Sequence, residues 1–482
     1  MEKIRIQNFI NGEFSAPVSG AYLDNINPAT GEVYSLIPDS DERDVELAVT
    51  AARAAFPGWS MMAKEKRSAI LIKLSELIQA NLEEFAIAES IDNGKPVWLS
   101  RTVDIPRAVS NFHFYATGAL HVSTETHAME NTALNYTLRT PIGVAGCISP
   151  WNLPLYLFTW KIAPALASGN CVVAKPSEVT PMTAFKLAQL CNEAGMPKGV
   201  LNIIHGLGPK VGMAIVSHPK VPVISFTGGT KTGETIARTI APMFKKLSLE
   251  LGGKNPAIIF ADCDFEHAVK TTIKSSFSNQ GEICLCGSRI FIERPLYEKF
   301  KLALIEEAKK LKVGDPLDEK SKMGAIVSKP HYEKILSYIE LAKKEGGKIV
   351  FGGNSVNPGG KNANGYFIEP TMIEGLSYNC RTNQEEIFGP VVTLTPFDTE
   401  EEVLKYANST TYGLAATLWT TNLSRAHRMS ALIESGIIWV NCWLLRDLRT
   451  PFGGMKGSGV GREGGFEALN FFTEEKNVCI KF

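Results

Sequence analysis

The sequence has no excess charge of either sign. Its 50 lysines and arginines balance 50 aspartates and glutamates, and no long run of one charge appears among the 482 residues. Nucleic acids and anionic membranes bind proteins through concentrated positive charge, which is missing here. We therefore expect a small-molecule partner, with no nucleic acid and no membrane.

Long apolar runs are also missing. Residues 1–10 contain no apolar core of the kind that signal peptides carry, and no uninterrupted apolar run is long enough to span a bilayer. These absences predict a soluble cytoplasmic protein.

Cysteine spacing argues against two further classes. The nine cysteines are scattered, with no CxxC pair, no HExxH motif and no Cys/His cluster of zinc spacing. The pattern indicates neither a disulfide framework nor a metal site. Cys284 and Cys286 form the only close pair, for which two buried thiols are the simplest interpretation.

Hydrophobic periodicity predicts an α/β fold, and the chain length predicts two or more domains. A turn at residues 11–12 lies between short apolar runs and predicts an opening hairpin, while 42–57 and 65–100 have the spacing of amphipathic helices. Over 143–205, β-rich runs alternate with helices, which predicts a doubly wound parallel sheet. A second alternating block over 257–311 predicts a second α/β domain.

Two segments depart from this alternation. Residues 120–136 are more polar and less periodic than their surroundings, whereas residues 477–482 are β-rich. Both are interpreted as strands that pair with another subunit, with surface loops as the alternative.

Two glycine-rich turns follow predicted strands and precede predicted helices. The segment 206–212 resembles a dinucleotide fingerprint, although its last glycine comes one residue later than usual. The segment 226–233 offers backbone amides and hydroxyls that can hold a pyrophosphate. A plain glycine turn is the alternative for each.

Five polar side chains lie in short sequence contexts that suggest a catalytic or ligand-binding role. Lys175 and Glu178 follow a predicted strand, where they can bond the hydroxyls of an adenine ribose. Asn152, in a proline-braced turn, can aim an amide at a developing oxyanion. Glu250 and Cys284 pair a carboxylate with a thiol, which suggests covalent catalysis. Taken singly, the alternatives are a surface ion pair, a turn residue, a strand-end carboxylate and a core thiol.

Together these frames resemble the NAD(P)-dependent aldehyde dehydrogenase superfamily from about residue 8 to the carboxyl terminus. The matching residues, in the family's order, are Asn152, Lys175, Phe226-Thr227-Gly228, Glu250, Cys284, Glu385-Glu386-Ile387-Phe388-Gly389-Pro390 and Pro451-Phe452-Gly453-Gly454. The resemblance implies a Rossmann-type cofactor domain, an α/β catalytic domain and a small β oligomerisation element. The implied ranges are 1–120 and 141–250 for the NAD-binding domain, 251–452 for the catalytic domain, and 121–140 and 466–482 for the element that joins a homodimer or homotetramer.

The resemblance also implies the catalytic roles. Cys284 is the expected nucleophile, and the Asn152 side chain with the Cys284 backbone N–H is expected to stabilise the oxyanion. Glu250 is the expected general base, which activates water against the thioester.

The same resemblance implies NAD as cofactor. A carboxylate at Glu178 would repel a ribose 2′-phosphate, which favours NAD over NADP. Gly229 stands where relatives often carry serine against the pyrophosphate, so that phosphate contact is in doubt. The cofactor-binding residues implied are Trp151, Lys175, Ser177, Glu178, Gly208, Phe226, Thr227, Gly228, Gly229, Leu251, Glu386 and Phe388.

Two stretches, 103–107 and 441–449, resemble the family's dehydrogenases of 2-aminomuconate and 2-hydroxymuconate semialdehyde. The resemblance implies that Arg107 and Arg446 bind the carboxylate of an acidic semialdehyde. The alternative is that Arg107 pairs with Asp104, and Arg446 or a neighbouring arginine with Asp447, at the surface. Uncharged aldehydes, or a non-catalytic protein of the same fold, are the alternative functions.

Overall fold

A doubly wound sheet forms the first part of the computed structural model, which describes residues 3–482. Five parallel strands make its centre, and antiparallel strands close both edges. In spatial order the eight strands are Gly459–Val460, Lys246–Glu250, Val223–Thr227, Val144–Ile148, Cys171–Lys175, Leu201–Ile203, Asn8–Ile10 and Glu13–Ser15. The predicted hairpin and parallel sheet are confirmed.

The strand order places a binding crevice. Chain order reverses between Val144–Ile148 and Val223–Thr227, because the strands after Val144–Ile148 first add on one side and then on the other. Ligands of open α/β sheets bind at the carboxyl ends of strands where this reversal occurs. Trp151 and Asn152 follow the first of these strands, and Gly228 follows the second.

A second, seven-stranded sheet follows along the chain. Six of its strands are parallel, and one edge strand, Lys348–Phe351, is antiparallel. Its spatial order is Lys348–Phe351, Thr371–Glu374, Val391–Phe397, Gly287–Glu293, Asn255–Ile259, Ala415–Trp419 and Ile437–Val440. Separate apolar clusters pack against its strands, around Phe300 and around Met429. The ranges predicted for the domains stay a prediction.

A third sheet, the arm sheet, joins the carboxyl-terminal strand to an excursion in the first half of the chain. Thr473–Lys481 pairs antiparallel with Ala133–Pro141, which in turn pairs with Thr126–Met129. The strands therefore pair with each other within the chain, so the surface-loop alternative is wrong for 126–129, 133–136 and 477–481, and pairing with another subunit stays a prediction. The remaining strands form a three-stranded sheet and two ribbons: Ile4–Arg5, Glu32–Pro38 and Tyr22–Asn27; Ser355–Val356 and Phe367–Ile368; Tyr412–Gly413 and Met455–Lys456.

Helices cover the two large sheets. The α-helices are Glu42–Met61, Lys64–Ala80, Leu82–Asn93, Val97–Leu99, Ile105–Gly118, Pro154–Ala167, Met182–Glu193, Met213–Ser217, Thr230–Ile240, Phe265–Phe277, Tyr297–Ala308, Lys329–Lys344, Arg381–Gln384, Glu400–Asn408, Leu423–Leu432 and Gly465–Phe471. Ser100–Asp104 and Gly208–Gly212 are π-helical turns. Every residue of Pro154–Ala167 is buried, because this helix is apolar on nearly all sides and its one charged residue, Lys161, is paired with Glu463. None of the helices between residues 3 and 482 is long and apolar enough to cross a membrane.

The single helix predicted over 65–100 is wrong, since the chain breaks twice there. Asn81 ends the first helix and its amide donates to the Leu77 carbonyl at 2.9 Å. Gly94 ends the second helix with φ of +88°, and a Cβ there would lie 2.5 Å from the Ala325 carbonyl oxygen. Only glycine tolerates both conditions, so the chain turns and delivers Lys95 into the interior.

Candidate active site

Two spaces meet at Cys284. One, which we call the narrow cavity, has a volume of about 140 Å³, and the other, the wide cleft, has about 260 Å³. Thr227, Leu251 and Cys284 line both. A group bound in the cavity and a group bound in the cleft would therefore both reach the thiol.

The loop before Cys284 is held in an unusual backbone conformation. Asn279 and Gln280 both have left-handed φ, 51° and 55°, which non-glycine residues adopt only under constraint. The Gln280 amide is fixed by Ala325 O at 3.2 Å, and Asn255 Nδ2 donates to Cys284 O at 2.7 Å. The constrained loop thus presents the thiol at the junction of the two spaces.

The environment of Cys284 disfavours its thiolate. Burial raises the pKa of this thiol, and the carboxylates of Glu250 and Glu386 raise it further. A thiol held in this way needs a nearby base to accept its proton before it can act as a nucleophile.

Asn152 is joined to the same loop. Its Nδ2 donates to Glu282 O at 3.0 Å, which leaves the second hydrogen of this amide for another acceptor. Its backbone carbonyl accepts from Asn279 Nδ2 at 3.0 Å and from Lys95 Nζ at 3.1 Å. The predicted oxyanion amide and the nucleophile loop therefore form one hydrogen-bonded unit.

Glu250 supplies a carboxylate to the narrow cavity. It ends its strand, is 5% exposed, and its buried Oε1 has no hydrogen-bond partner among the described residues. Burial raises the pKa of Glu250 well above 4.5, and the carboxylate of Glu463 raises it further. Glu463 is itself held by Lys161 Nζ at 2.9 Å. A carboxylate with a raised pKa and a free lone pair is suited to accept a proton.

Both predicted substrate arginines line the narrow cavity. Arg446 lies 4.1 Å from the ring centre of Trp160 and 4.4 Å from that of Phe452, and its Nη1 donates to the Tyr156 hydroxyl. Its buried Nη2 has no partner among residues 3–482. Burial lowers the pKa of Arg446 to about 9, with Arg107 adding to the effect. An unused donor on a caged guanidinium indicates a site for an anion.

The surface-pair alternative for these arginines is wrong. Asp104 pairs with Lys95 and does not pair with Arg107, whose guanidinium instead lies 5.3 Å from the Tyr156 ring centre. Asp447 pairs with Arg449 at 2.6 Å, as one branch of that alternative expected. Within the described chain, neither Arg107 nor Arg446 has a carboxylate partner.

Aromatic rings and Glu386 line the wide cleft. Phe388, with φ of +62°, packs edge-on against Trp151 at 5.3 Å between ring centres, and the His331 ring packs at an angle against both. Glu386 Oε1 accepts from Gly253 N at 2.7 Å. Burial raises the pKa of Glu386. The cleft thus offers flat apolar walls with one carboxylate at its edge.

The predicted adenine-end residues border a third space, the side cleft, of about 430 Å³. Glu178 and Gly208 line it, and Lys175 Nζ donates to Glu178 Oε2 at 2.9 Å. Burial would raise the pKa of Glu178, but Lys175 outweighs it and the pKa is lowered, so this carboxylate is charged. Ser177 caps the turn by accepting from Val179 N at 3.4 Å.

Gly228 and Gly229 connect the wide cleft to the helix Thr230–Ile240. A Cβ on Gly228 would lie 2.4 Å from the Phe226 ring, whereas a Cβ on Gly229 would meet nothing within 4 Å. No side chain caps the first turn of this helix. The N–H groups of this first turn are left for another acceptor, and they lie at the positive end of the helix dipole, where an anion is stabilised.

Several contacts of the site were not predicted from the sequence. The aromatic cage of Tyr156, Trp160 and Phe452 combines a helix face with a loop almost 300 residues away, so no local pattern reveals it. The i,i+4 spacing of the first two was the only available signal. Lys274 also lines the narrow cavity, and it too was not predicted.

Comparison with known proteins identifies the family. The chain matches the model of the aldehyde dehydrogenase family over residues 15–478. It is 52% identical to 2-aminomuconic semialdehyde dehydrogenase from Bos taurus, over 99% of this chain and 98% of that protein, and 46% identical to 2-hydroxymuconic semialdehyde dehydrogenase from Pseudomonas sp. (strain CF600), over 99% of each. A solved aldehyde dehydrogenase from Bacillus cereus, in complex with NAD+, superposes with a TM-score of 0.96 at 40% identity, covering 100% of this chain and 97% of that chain. The chain therefore belongs to the aldehyde dehydrogenase family and is an aldehyde-oxidising enzyme.

Proposed function

We propose that this enzyme oxidises an acidic semialdehyde, 2-aminomuconate or 2-hydroxymuconate 6-semialdehyde, to the carboxylate with NAD. The observation that carries this proposal is the presence of two arginines, both without carboxylate partners, in the cavity that contains Cys284. The names of the full-length relatives support the same substrate class.

Cys284 begins the reaction. Glu250 accepts the thiol proton, and Sγ attacks the aldehyde carbon to give a tetrahedral oxyanion. The Asn152 amide and the backbone N–H of Cys284 stabilise this oxygen. The carbonyl re-forms as a hydride leaves, which yields a thioester on Cys284. The chemistry that a bound nicotinamide supplies is acceptance of that hydride.

Glu250 completes the reaction. After it has released the thiol proton to solvent, its carboxylate takes a proton from water, the resulting hydroxide attacks the thioester carbon, and the bond to Sγ breaks. The products are the new carboxylate and a Cys284 thiolate. The raised pKa of Glu250 supports this role because it makes the carboxylate a stronger base.

The residues around the clefts fit a dinucleotide. Lys175 and Glu178 would hold the adenine ribose, the turn at Gly228-Gly229 the pyrophosphate, and Glu386 with Phe388 the nicotinamide ribose and ring. Because Glu178 is charged, it favours a 2′-hydroxyl over a 2′-phosphate. We expect Glu178→Gln to lower the ratio of kcat/KM with NAD to kcat/KM with NADP, that is, to weaken the preference for NAD. An unchanged ratio would contradict this role.

Arg107 and Arg446 would hold the substrate carboxylate and the polar group beside it. A planar guanidinium can bind both oxygens of a carboxylate at once. The cation–π stacking of Arg446 fixes the direction of its free Nη2. An acidic tail held here leaves the aldehyde end of the molecule at Cys284.

Initial rates test the substrate class. NADH formation would be followed with 2-hydroxymuconate semialdehyde or its 2-amino analogue, generated in situ, and with uncharged aldehydes of similar length at matched concentration. A strong preference for the acidic substrates is expected. Equal or reversed preference would favour the second candidate, a dehydrogenase of uncharged aldehydes, which the aliphatic walls at Leu99, Leu153 and Leu157 would suit.

The arm sheet supports a homodimer or homotetramer. Thr473–Lys481 pairs on one side only, and Ile480 and the following residue, Phe482, are exposed, so this end of the chain offers backbone donors and apolar side chains to a second copy. We also propose a cytoplasmic location, since the nine cysteines form no disulfide, as is usual in a reducing compartment.

A further inference from the structure

We propose that Lys95 is a positioning residue, which holds the oxyanion amide of Asn152 in register with the segment that carries Arg107. This inference rests on the proposed function only in taking Asn152 as the oxyanion donor. No motif singled out Lys95, because its role depends on three contacts from separate parts of the fold.

The Lys95 ammonium is fully buried and uses all three of its donors. It donates to Glu89 Oε1 at 3.2 Å, to Asp104 Oδ2, and to the backbone carbonyl of Asn152 at 3.1 Å. The side chains of Lys95 and Glu89 are 0% exposed, and that of Asp104 is 1% exposed. A buried ammonium with three acceptors in fixed directions has no freedom to reorient.

Each partner of Lys95 belongs to a different functional segment. Asp104 ends the π-helical turn Ser100–Asp104, directly before the helix that carries Arg107. Glu89 lies on the helix Leu82–Asn93, and its Oε2 accepts from Leu155 N at 3.1 Å, in the first turn after Asn152. Lys95 therefore connects the segment that carries Arg107 directly to Asn152 and, through Glu89, to Leu155.

The hydrogen bond from Lys95 to the Asn152 carbonyl helps to set the position of the Asn152 side-chain amide. Asn279 Nδ2 donates both to Asn152 O at 3.0 Å and to Glu282 O at 3.1 Å, and Glu282 O also accepts the Asn152 side chain. Lys95 is a second donor to the same Asn152 carbonyl oxygen. Without it, the Asn152 carbonyl loses a charged donor, and the amide can tilt away from the position of the oxyanion.

A double-mutant cycle separates positioning from general stability. Pre-steady-state NADH formation would be measured for wild type, Lys95→Met, Asn152→Ala and the double variant, with NAD affinity measured alongside. We expect Lys95→Met to slow the burst about 10-fold or more with unchanged NAD affinity. In the Asn152→Ala background the same change should slow it less than about 2-fold, because the group through which Lys95 acts is already gone.

Equal slowing in both backgrounds would overturn the proposal, because it would mean that Lys95 does not act through Asn152. Lys95→Met leaves two carboxylates buried without their cation, which threatens folding. The variant Glu89→Gln/Lys95→Met/Asp104→Asn removes all three charges of the cluster and retains hydrogen-bond acceptors. It therefore tests the role of Lys95 without leaving an unpaired buried charge. It should show the same slow burst, whereas a wild-type burst would also overturn the proposal. Absence of NADH formation by the wild-type enzyme would instead refute the proposed function.

Discussion

Replacing Arg446 by methionine should weaken the reaction of acidic substrates and spare that of uncharged ones. Methionine keeps an unbranched chain between the Trp160 and Phe452 rings but removes the cation and the unpartnered Nη2. Packing is then largely retained, so the change in rate reports mainly on the lost anion contact.

The size of the effect follows from the burial of this contact. A hydrogen bond to a charged group is worth about 1.5–3 kcal/mol, and burial of Arg446 places it at the upper end, about 2–3 kcal/mol. That corresponds to a loss of roughly 30- to 150-fold in kcat/KM. Most of the loss should appear in KM if the carboxylate is held equally in the ground and transition states.

A neighbouring arginine provides the matched control. Arg449 is exposed and paired with Asp447, and it does not line the narrow cavity. Steady-state kinetics of Arg446→Met and Arg449→Met would be compared on a muconate semialdehyde and on an uncharged aldehyde of similar length. The reasoning would be refuted if Arg446→Met lowered kcat/KM equally for both substrates, or left both unchanged.

Three further changes test the cofactor turn, the base and the backbone. Gly229→Ser, where a side chain meets nothing within 4 Å, should tighten NAD binding by roughly 2- to 10-fold in calorimetry through one added hydrogen bond, and weaker binding would contradict the assigned turn. Glu463→Gln removes a negative charge that raises the pKa of Glu250. The acidic limb of the pH profile of kcat, where Glu250 becomes protonated and inactive, should therefore move to lower pH. An unmoved limb would exclude Glu250 as the group that titrates. Gly94→Ala should cost more stability in urea unfolding than Gly346→Ala, because both glycines have φ of +88° but only the first lies against a backbone carbonyl oxygen, 2.5 Å away; equal losses would show that this contact is unimportant.

The proposed catalytic residues could be singled out from the sequence because each lies in a distinctive local context. Cys284, Glu250 and Asn152 each stand in a short frame whose turn or strand end positions the side chain, and the strand order brings the frames to one edge. The parallel strands around Val144–Ile148 could be predicted for the same reason, since alternation of β-rich and helical runs is a local property.

What the sequence did not reveal depends on contacts between distant segments. Helical spacing continues across Gly94, and it gives no sign that the Ala325 carbonyl approaches there so closely that only glycine fits. Asp104 stands three residues before Arg107, a spacing that favours a helical ion pair, yet the buried Lys95 takes that carboxylate instead. Tertiary burial thus decided which charges were paired and which remained without a carboxylate partner.

The most direct measurement is the mass of the intermediate trapped on the enzyme. Glu250→Gln should form the thioester slowly, with solvent as the proton acceptor, and should hydrolyse it more slowly still, because no carboxylate activates the water. After prolonged mixing with NAD and a muconate semialdehyde, intact-protein and peptide mass spectrometry should therefore find the acyl group on Cys284, with about one NADH formed per site. Cys284→Ala, treated in the same way, should carry no adduct and form no NADH. Turnover of the semialdehyde by Cys284→Ala, or an adduct on a different residue, would contradict covalent catalysis by Cys284.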